Sequence, residues 1–145
     1  MADAIRGYLA LLKEQPDPED VRLGKLAQAL DSLLMVYHRL PDTEPDPDLD
    51  APRVEYERLE RLASASFPEF GFYWDVEPNM DMDQPITLGD GISDVAEIAQ
   101  DLMEVLWLIE NAGADYAIWM YRWGYHNHWG RHLLDLRRYL HSLMH

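Results

Sequence analysis

From Ser93 to Leu143 large apolar residues return every three or four positions, and the pattern turns once, at Gly113. Successive residues of an α-helix are rotated by about 100°, so positions three and four apart share a face. Val95, Ile98, Ala99, Leu102, Leu106 and Ile109 then form the core face of a helix from Ser93 to Asn111. Glycine is the usual residue just beyond a helix C-terminus, and Gly113 fills that role. A second helical stretch runs from Ala114 to Leu143 and is rich in aromatics: Tyr116, Trp119, Tyr121, Trp123, Tyr125 and Trp129. Gly124 and Gly130 interrupt it. Each costs roughly 1 kcal/mol relative to alanine in a helix, so each is expected where a close neighbour or a bend needs it.

A short connection makes the two helices antiparallel neighbours, with residues whose numbers add to about 226 standing level. Asp94, Glu97, Asp101 and Glu104 fall at intervals of three, four and three, and so line one side of the first helix. The register sets Asp94 opposite His132, Glu97 level with His128 and Trp129, Asp101 with Tyr125, and Glu104 with Arg122. Residues 126–132 read HNHWGRH and hold three of the six histidines. On a helix His126 and His128 point about 160° apart, whereas His128 and His132 are one turn apart on one side. The apparent three-histidine site reduces to a pair, faced by acids.

The remainder of the chain reads as helices too. Ile5, Tyr8, Leu9 and Leu12 define a first helix. Asp17 as cap and Pro18 at the first helical position open a second, with a stripe of Leu23, Leu26, Ala27, Leu30, Leu33, Leu34 and Tyr37 closed by Pro41. PDTEPDPDLDAP (41–52) is acidic and proline-rich, and reads as a solvated linker. Pro52 opens a third helix with Tyr56, Leu59, Leu62, Ala63 and Phe67 inward. Residues 68–91 show no sustained period and are expected as an irregular aromatic loop; a strand pair there is the alternative. The expectation is an all-α, single-domain bundle over 1–145 of about five helices, its long C-terminal helix packed antiparallel on the preceding one.

Charge narrows the partners. Residues 1–114 hold 25 acids against 8 Lys and Arg, and residues 115–145 hold 2 acids against 4 Arg. So acidic a chain is repelled by phosphate backbones and anionic membrane surfaces, and a basic protein or a divalent cation is favoured. No apolar run approaches the ~20 residues of a membrane span, and the start, MADAIRGYLALL, has Asp3 where a signal peptide would want basic residues, with no small-residue cleavage site following. The absence of cysteine excludes disulfides, cysteine-bound zinc and thiol catalysis, and fits a cytoplasmic location.

SDVAEIAQDL (93–102) followed by WMYRWGYHNHWGRH (119–132) resembles the paired signature of the bacterial domain-of-unknown-function 5063 family. There an acidic helix of the form D-D-L-A-D-I-Y-x-D-L precedes W-x-W-R and H-W-G-x-H. Asp94, Glu97, Asp101, Trp119, Arg122, His128, Trp129, Gly130 and His132 fall on the pattern, which is strongest from about 73 to 141. Ser93, Glu97, Ala99 and Tyr121 depart from its preferred residues. The resemblance implies a bacterial source and brings no activity with it.

Three chemistries suit a cluster of Asp94, Glu97, Asp101, Glu104, Arg122, His128 and His132. It can be an ion-pair network that sets helix register, with no cofactor. It can be a divalent metal site on His128, His132, Asp94 and Glu97, whose donor types suit zinc, iron or manganese, although H-x-x-x-H without an adjacent glutamate is not the zincin motif. It can be an acid–base site without metal. No phosphate-binding glycine loop, dinucleotide fingerprint or nucleophile elbow is present. Acid runs such as EYERLE are only loosely similar to those of the all-helical nucleotide pyrophosphatases, whose paired-glutamate motif is missing. The favoured function at this level is a non-enzymatic binding module engaging a basic partner in the manner of immunity proteins and antitoxins, through Glu55, Glu57 and Glu60. The alternative is a metal-dependent helical-bundle hydrolase. A pocket at His128, Asp94 and Glu97 would favour the second; a sealed cluster with the acids of 41–60 displayed outside would favour the first.

Overall fold

The computed structural model describes residues 1–13 and 16–145. Its elements are α1 (Ala2–Leu9), α2 (Glu19–Arg39), α3 (Tyr56–Ser66), β1 (Phe72–Asp75), β2 (Thr87–Asp90), α4 (Gly91–Asn111), α5 (Ala114–Gly124), a π-helical turn (Tyr125–Trp129) and α6 (Gly130–Met144). The fold is mostly helical, as the apolar periods require. α4 is its hub and packs against α1, α3, α5 and α6. Val95, Ile98, Leu102 and Leu108 of α4 are buried with Leu26, Leu30 and Leu33 of α2 and Leu133, Leu136 and Leu140 of α6. Each such side chain contributes roughly 1.5–3 kcal/mol relative to remaining in water. Two buried tyrosines tie helices together at their tips: the Tyr8 hydroxyl donates to the Val95 carbonyl (2.8 Å) and that of Tyr121 to the Leu33 carbonyl (2.7 Å).

Several boundaries differ from the sequence expectation. α2 begins at Glu19 with Pro18 as its cap residue, and Asp17 does not cap. Its carboxylate instead meets Lys25 at 2.6 Å, and its carbonyl accepts from Arg22 Nε at 3.1 Å. α3 starts at Tyr56, four residues after Pro52. The chain between them is held away from helix because the Val54 carbonyl accepts from Gln100 Nε2 at 2.7 Å. Asp90 caps α4 through its carboxylate, which accepts from Ile92 N at 3.0 Å and Ser93 N at 3.4 Å. α4 is followed by Gly113 at φ 123°, a backbone conformation that glycine adopts without strain.

Residues 68–91 are not wholly irregular. β1 and β2 form an antiparallel pair with Phe72 opposite Asp90, Tyr73 opposite Gly89, Trp74 opposite Leu88 and Asp75 opposite Thr87. The usual apolar-in, polar-out alternation is reversed here, which hides the strands from a pattern search. Tyr73 and Asp75 turn inward, while Phe72, Trp74 and Leu88 are exposed. Gly89 has no alternative, since a Cβ there would lie 2.2 Å from the Tyr73 ring.

The C-terminal helix is also broken in a definite way. Buried positions run Ala117, Tyr121, Gly124, then Trp129, Leu133, Leu136, Leu140. The step of five between Gly124 and Trp129 is the π-turn, which carries one residue more than α-geometry and so restores the inward phase of α6. Both flanking glycines are required by proximity. A Cβ on Gly124 would stand 2.8 Å from the Trp129 indole, and one on Gly130 2.1 Å from the Tyr125 carbonyl oxygen.

Candidate metal centre

α4 presents Asp94, Glu97, Asp101 and Glu104 along one side, and the π-turn with α6 presents His128 and His132. Asp94 is 4% exposed and its carboxylate is fully engaged. One oxygen lies 2.8 Å from His132 Nδ1, and the other accepts a hydrogen bond from the Tyr73 hydroxyl. Burial first, and then the Asp94 carboxylate, push the pKa of that hydroxyl well above its ordinary value, so it stays protonated and can only donate to Asp94. His128 Nδ1 lies 2.7 Å from Asp101 Oδ2, and its Nε2 lies 3.4 Å from Glu97 Oε2. An ionised carboxylate only accepts, so each histidine carries a proton on Nδ1. That leaves Nε2 of both rings as a lone-pair donor whenever the ring is neutral.

Burial disfavours a charged His132 ring, but the hydrogen bond and charge of Asp94, with Glu97 and Asp135 beyond it, outweigh burial and hold its pKa above the ordinary 6.5. Asp135 in turn is raised, by burial and by the nearby Asp75 and Asp94, with Arg131 opposing. Negative charge is thus in excess throughout this neighbourhood. The His128 and His132 rings are 5.1 Å apart and nearly perpendicular. One ligand atom from each of Glu97, His128 and His132 can be chosen so that all lie within 4.8 Å of one another.

The expected register holds at one end and slips at the other. Asp94 meets His132 as the spacing predicts, and Glu97 meets His128. Asp101 reaches His128 rather than Tyr125, a shift of three residues along the partner helix. Glu104 does not meet Arg122. It pairs with Arg53, whose guanidinium also lies 3.4 Å from Asp101 and 2.8 Å from Gln100 Oε1. Arg122 turns the other way, donating to the Leu40 carbonyl at 2.9 Å and pairing with Asp42 at 2.9 Å. Arg122 therefore belongs to the anchoring of the 41–52 segment and not to the cluster. His126 stands apart, its Nε2 2.6 Å from the Tyr37 hydroxyl.

Arg53 and Tyr73 are the cluster members the sequence did not reveal. Each sits in a segment without helical period and arrives by a long-range contact. For Tyr73 the only available signal was a short aromatic run ending in Asp75. Glu55, Glu57 and Glu60 are exposed on and before α3, with no ion pair among the described residues, and alternate with the exposed Arg58 and Arg61.

The cluster is not sealed. The His128 side chain is 37% exposed. It lines a cleft of about 310 Å³ together with Arg53, Asp101, Glu104, Met120, Trp123 and Gly124. Trp129 Nε1, fully buried behind Gly124, has no hydrogen-bond partner among the described residues.

A helical bundle whose central helix offers carboxylates to two histidines of a π-bulged partner helix defines the class. The chain belongs to the family described as Domain of unknown function (DUF5063), which it matches over residues 1–145. Its fold is similar to the crystal structure of protein BF1032 from Bacteroides fragilis, with a TM-score of 0.78 at 16% identity, covering 99% of this chain and 89% of that one. Among curated proteins none matches the sequence. Among the described residues no helix is long and apolar enough to cross a membrane.

Proposed function

We propose that this protein is a metal-dependent hydrolase whose divalent ion is held by Glu97 and by Nε2 of His128 and His132. The observation that carries the reading is the backing of each histidine: Asp94 holds Nδ1 of His132 and Asp101 holds Nδ1 of His128. Metal-binding histidines characteristically donate their other ring N–H to a carboxylate, which fixes the tautomer and strengthens the ligand. Glu97 Oε2 and His128 Nε2 lie 3.4 Å apart, and donor atoms of Glu97, His128 and His132 all fall within 4.8 Å of one another, so the three would have to draw together to share one ion. Two imidazoles and a carboxylate suit zinc, iron or manganese, and three protein ligands leave a position for water. An ion held there would supply a water acidified to near neutral pH as nucleophile for a carbonyl or phosphoryl centre. Of the three proposed ligands His128 alone lines the cleft, on the side where Asp101 holds its Nδ1.

Protein prepared without a histidine tag should bind about one equivalent of zinc or manganese per chain, measured by elemental analysis and calorimetry. Chelator should lower its melting temperature, and Glu97→Gln, His128→Ala and His132→Gln should each abolish binding. Failure to bind any of these ions more tightly than millimolar, with melting indifferent to chelator, would refute the metal site. Metal binding without metal-dependent hydrolysis of ester, amide or phosphoester probes would refute the hydrolase alone.

The binding-module reading retains one supporting observation: Glu55, Glu57 and Glu60 are exposed and have no ion pair among the described residues. Arg58 and Arg61 between them dilute the field that a basic partner would meet. If that surface binds, reversing the three glutamates to lysine abolishes capture of a cationic partner, and raised salt weakens it in the unmodified chain.

A further inference from the structure

The cleft beside His128 has a hydrogen-bond donor beneath it with nothing to bond. Trp129 is wholly buried, and its Nε1–H has no partner among the described residues. Buried donors in native proteins are almost always satisfied, and an unpaired one costs free energy. The edge of the indole that carries Nε1 rests against the bare Cα of Gly124: a Cβ there would stand 2.8 Å from Nε1 and 3.8 Å from Asp101 Oδ2. Gly124 and Asp101 both line the cleft, so its floor gives onto that N–H, and a side chain in place of Gly124 would cap it. The volume of about 310 Å³ falls at the lower end of the range of small-molecule sites, roughly 300–1,000 Å³.

The lining narrows what can enter. An indole N–H only donates, so the guest must bring an acceptor oxygen. An ammonium ion has none. A carboxylate or phosphate has several, but it meets Asp101 and Glu104, two carboxylates against one guanidinium. The terminal nitrogens of that guanidinium, on Arg53, are already committed to Gln100, Asp101 and Glu104. The guest is therefore neutral. Glu104 Oε1 takes Arg53, while its Oε2 has no hydrogen bond among the described residues and is open to a donor. Trp123, about half exposed, and Met120 make the rest of the wall apolar. An amide supplies a neutral acceptor and a donor together, and an aromatic body attached to it can cover the indole of Trp123. We propose that this cleft binds a small neutral amide with an aromatic or apolar body, its carbonyl accepting from Trp129 Nε1 and its N–H donating to Glu104. The site lies on the Asp101 side of His128, away from the Nε2 proposed for the ion, and does not depend on a bound metal.

The test is a titration of the tag-free protein in chelator, followed through its indole N–H signals by proton–nitrogen correlation NMR. The probes share a phenyl ring: benzamide, methyl benzoate (a carbonyl without N–H), benzylammonium (N–H without a carbonyl) and benzoate (the anion). Benzamide should shift the Trp129 N–H and bind about tenfold more tightly than each of the others, the order of one good hydrogen bond. Trp123→Ala, a change at an exposed position, should weaken benzamide about fivefold with an unchanged helical circular dichroism spectrum. Glu104→Met should erase the preference over methyl benzoate. Gly124→Ala should abolish the shift of the Trp129 signal; should that variant misfold, the Trp123 and Glu104 variants decide. The inference is overturned if benzamide leaves the Trp129 N–H unmoved or if another probe binds as tightly. Benzamide affinity indifferent to Trp123→Ala, or a preference that survives Glu104→Met, overturns it equally.

Discussion

Replacing Gly130 with alanine sets two physical effects of opposite sign against each other. Gly130 has ordinary helical angles, φ −63° and ψ −37°, so the backbone itself would accept alanine. In an unobstructed helix the change stabilises by about 1 kcal/mol. Here the new Cβ would lie 2.1 Å from the Tyr125 carbonyl oxygen and 2.8 Å from Tyr125 Cδ2. Contact distance is about 3.4 Å, so main chain must separate by more than ~1 Å within a turn that packs Trp129 into the core. Overpacking against a flexible side chain costs about 1–3 kcal/mol, and a carbonyl in a hydrogen-bonded turn yields less readily. The net expectation is a loss of roughly 1–3 kcal/mol after the propensity gain, or ~3–9 °C in melting temperature for a chain of this size. The control is Gly24→Ala in α2, where nothing lies within 4 Å and stability should rise by up to ~1 kcal/mol. Thermal melts of the three proteins side by side decide the matter. If Gly130→Ala melts at or above the unmodified protein, the π-turn does not need its glycine and the steric argument fails.

Tyr73→Phe removes the hydroxyl that donates to buried Asp94 and should cost about 1.5–3 kcal/mol in urea denaturation, since the acceptor is charged; no loss would mean that water replaces the hydroxyl freely. The raised pKa of His132 fixes the sign of a pH effect in metal-free protein: the stability it contributes is complete below about 6.5 and fades as pH rises through the folded value. His132→Gln should flatten that dependence in melts from pH 5.5 to 8.5, and an unchanged slope would place its origin elsewhere. Arg122→Met should release the 40–43 segment, raising amide exchange there while leaving metal affinity unchanged, because Arg122 holds the Leu40 carbonyl and Asp42 and touches no carboxylate of the cluster.

Much of this arrangement was legible in the sequence because it depends on local periods. The 3-4-3 spacing of the α4 acids and the Gly113 turn sufficed to bring Asp94 to His132 and to separate His126 from His128. Two things were hidden for physical reasons. Arg53 and Tyr73 come from segments with no helical period, so nothing local announces that they reach α4. The hairpin inverts its alternation, and an inverted pattern on so short a strand resembles a loop. The π-turn left a trace that was available and subtle: the apolar stripe steps by five once, between two glycines. Glu104 with Arg122 was paired in expectation by level alone, and level does not say on which flank of a helix a long side chain leaves.

The π-turn also bears on how the chain can change. Between Gly124 and Trp129 the gene carries one codon more than a plain α-helix with the same inward residues requires. Remove Asn127 and the turn can close as plain α-helix, with Tyr121 and Trp129 seven positions apart and still on one face. Add a residue instead and α6 turns by about a further 100°, a rotation that no change of side chain restores. The histidines stand at that seam. Their placement opposite α4 is a matter of counting as much as of chemistry, and the 125–129 segment should tolerate the loss of one residue better than the gain of one.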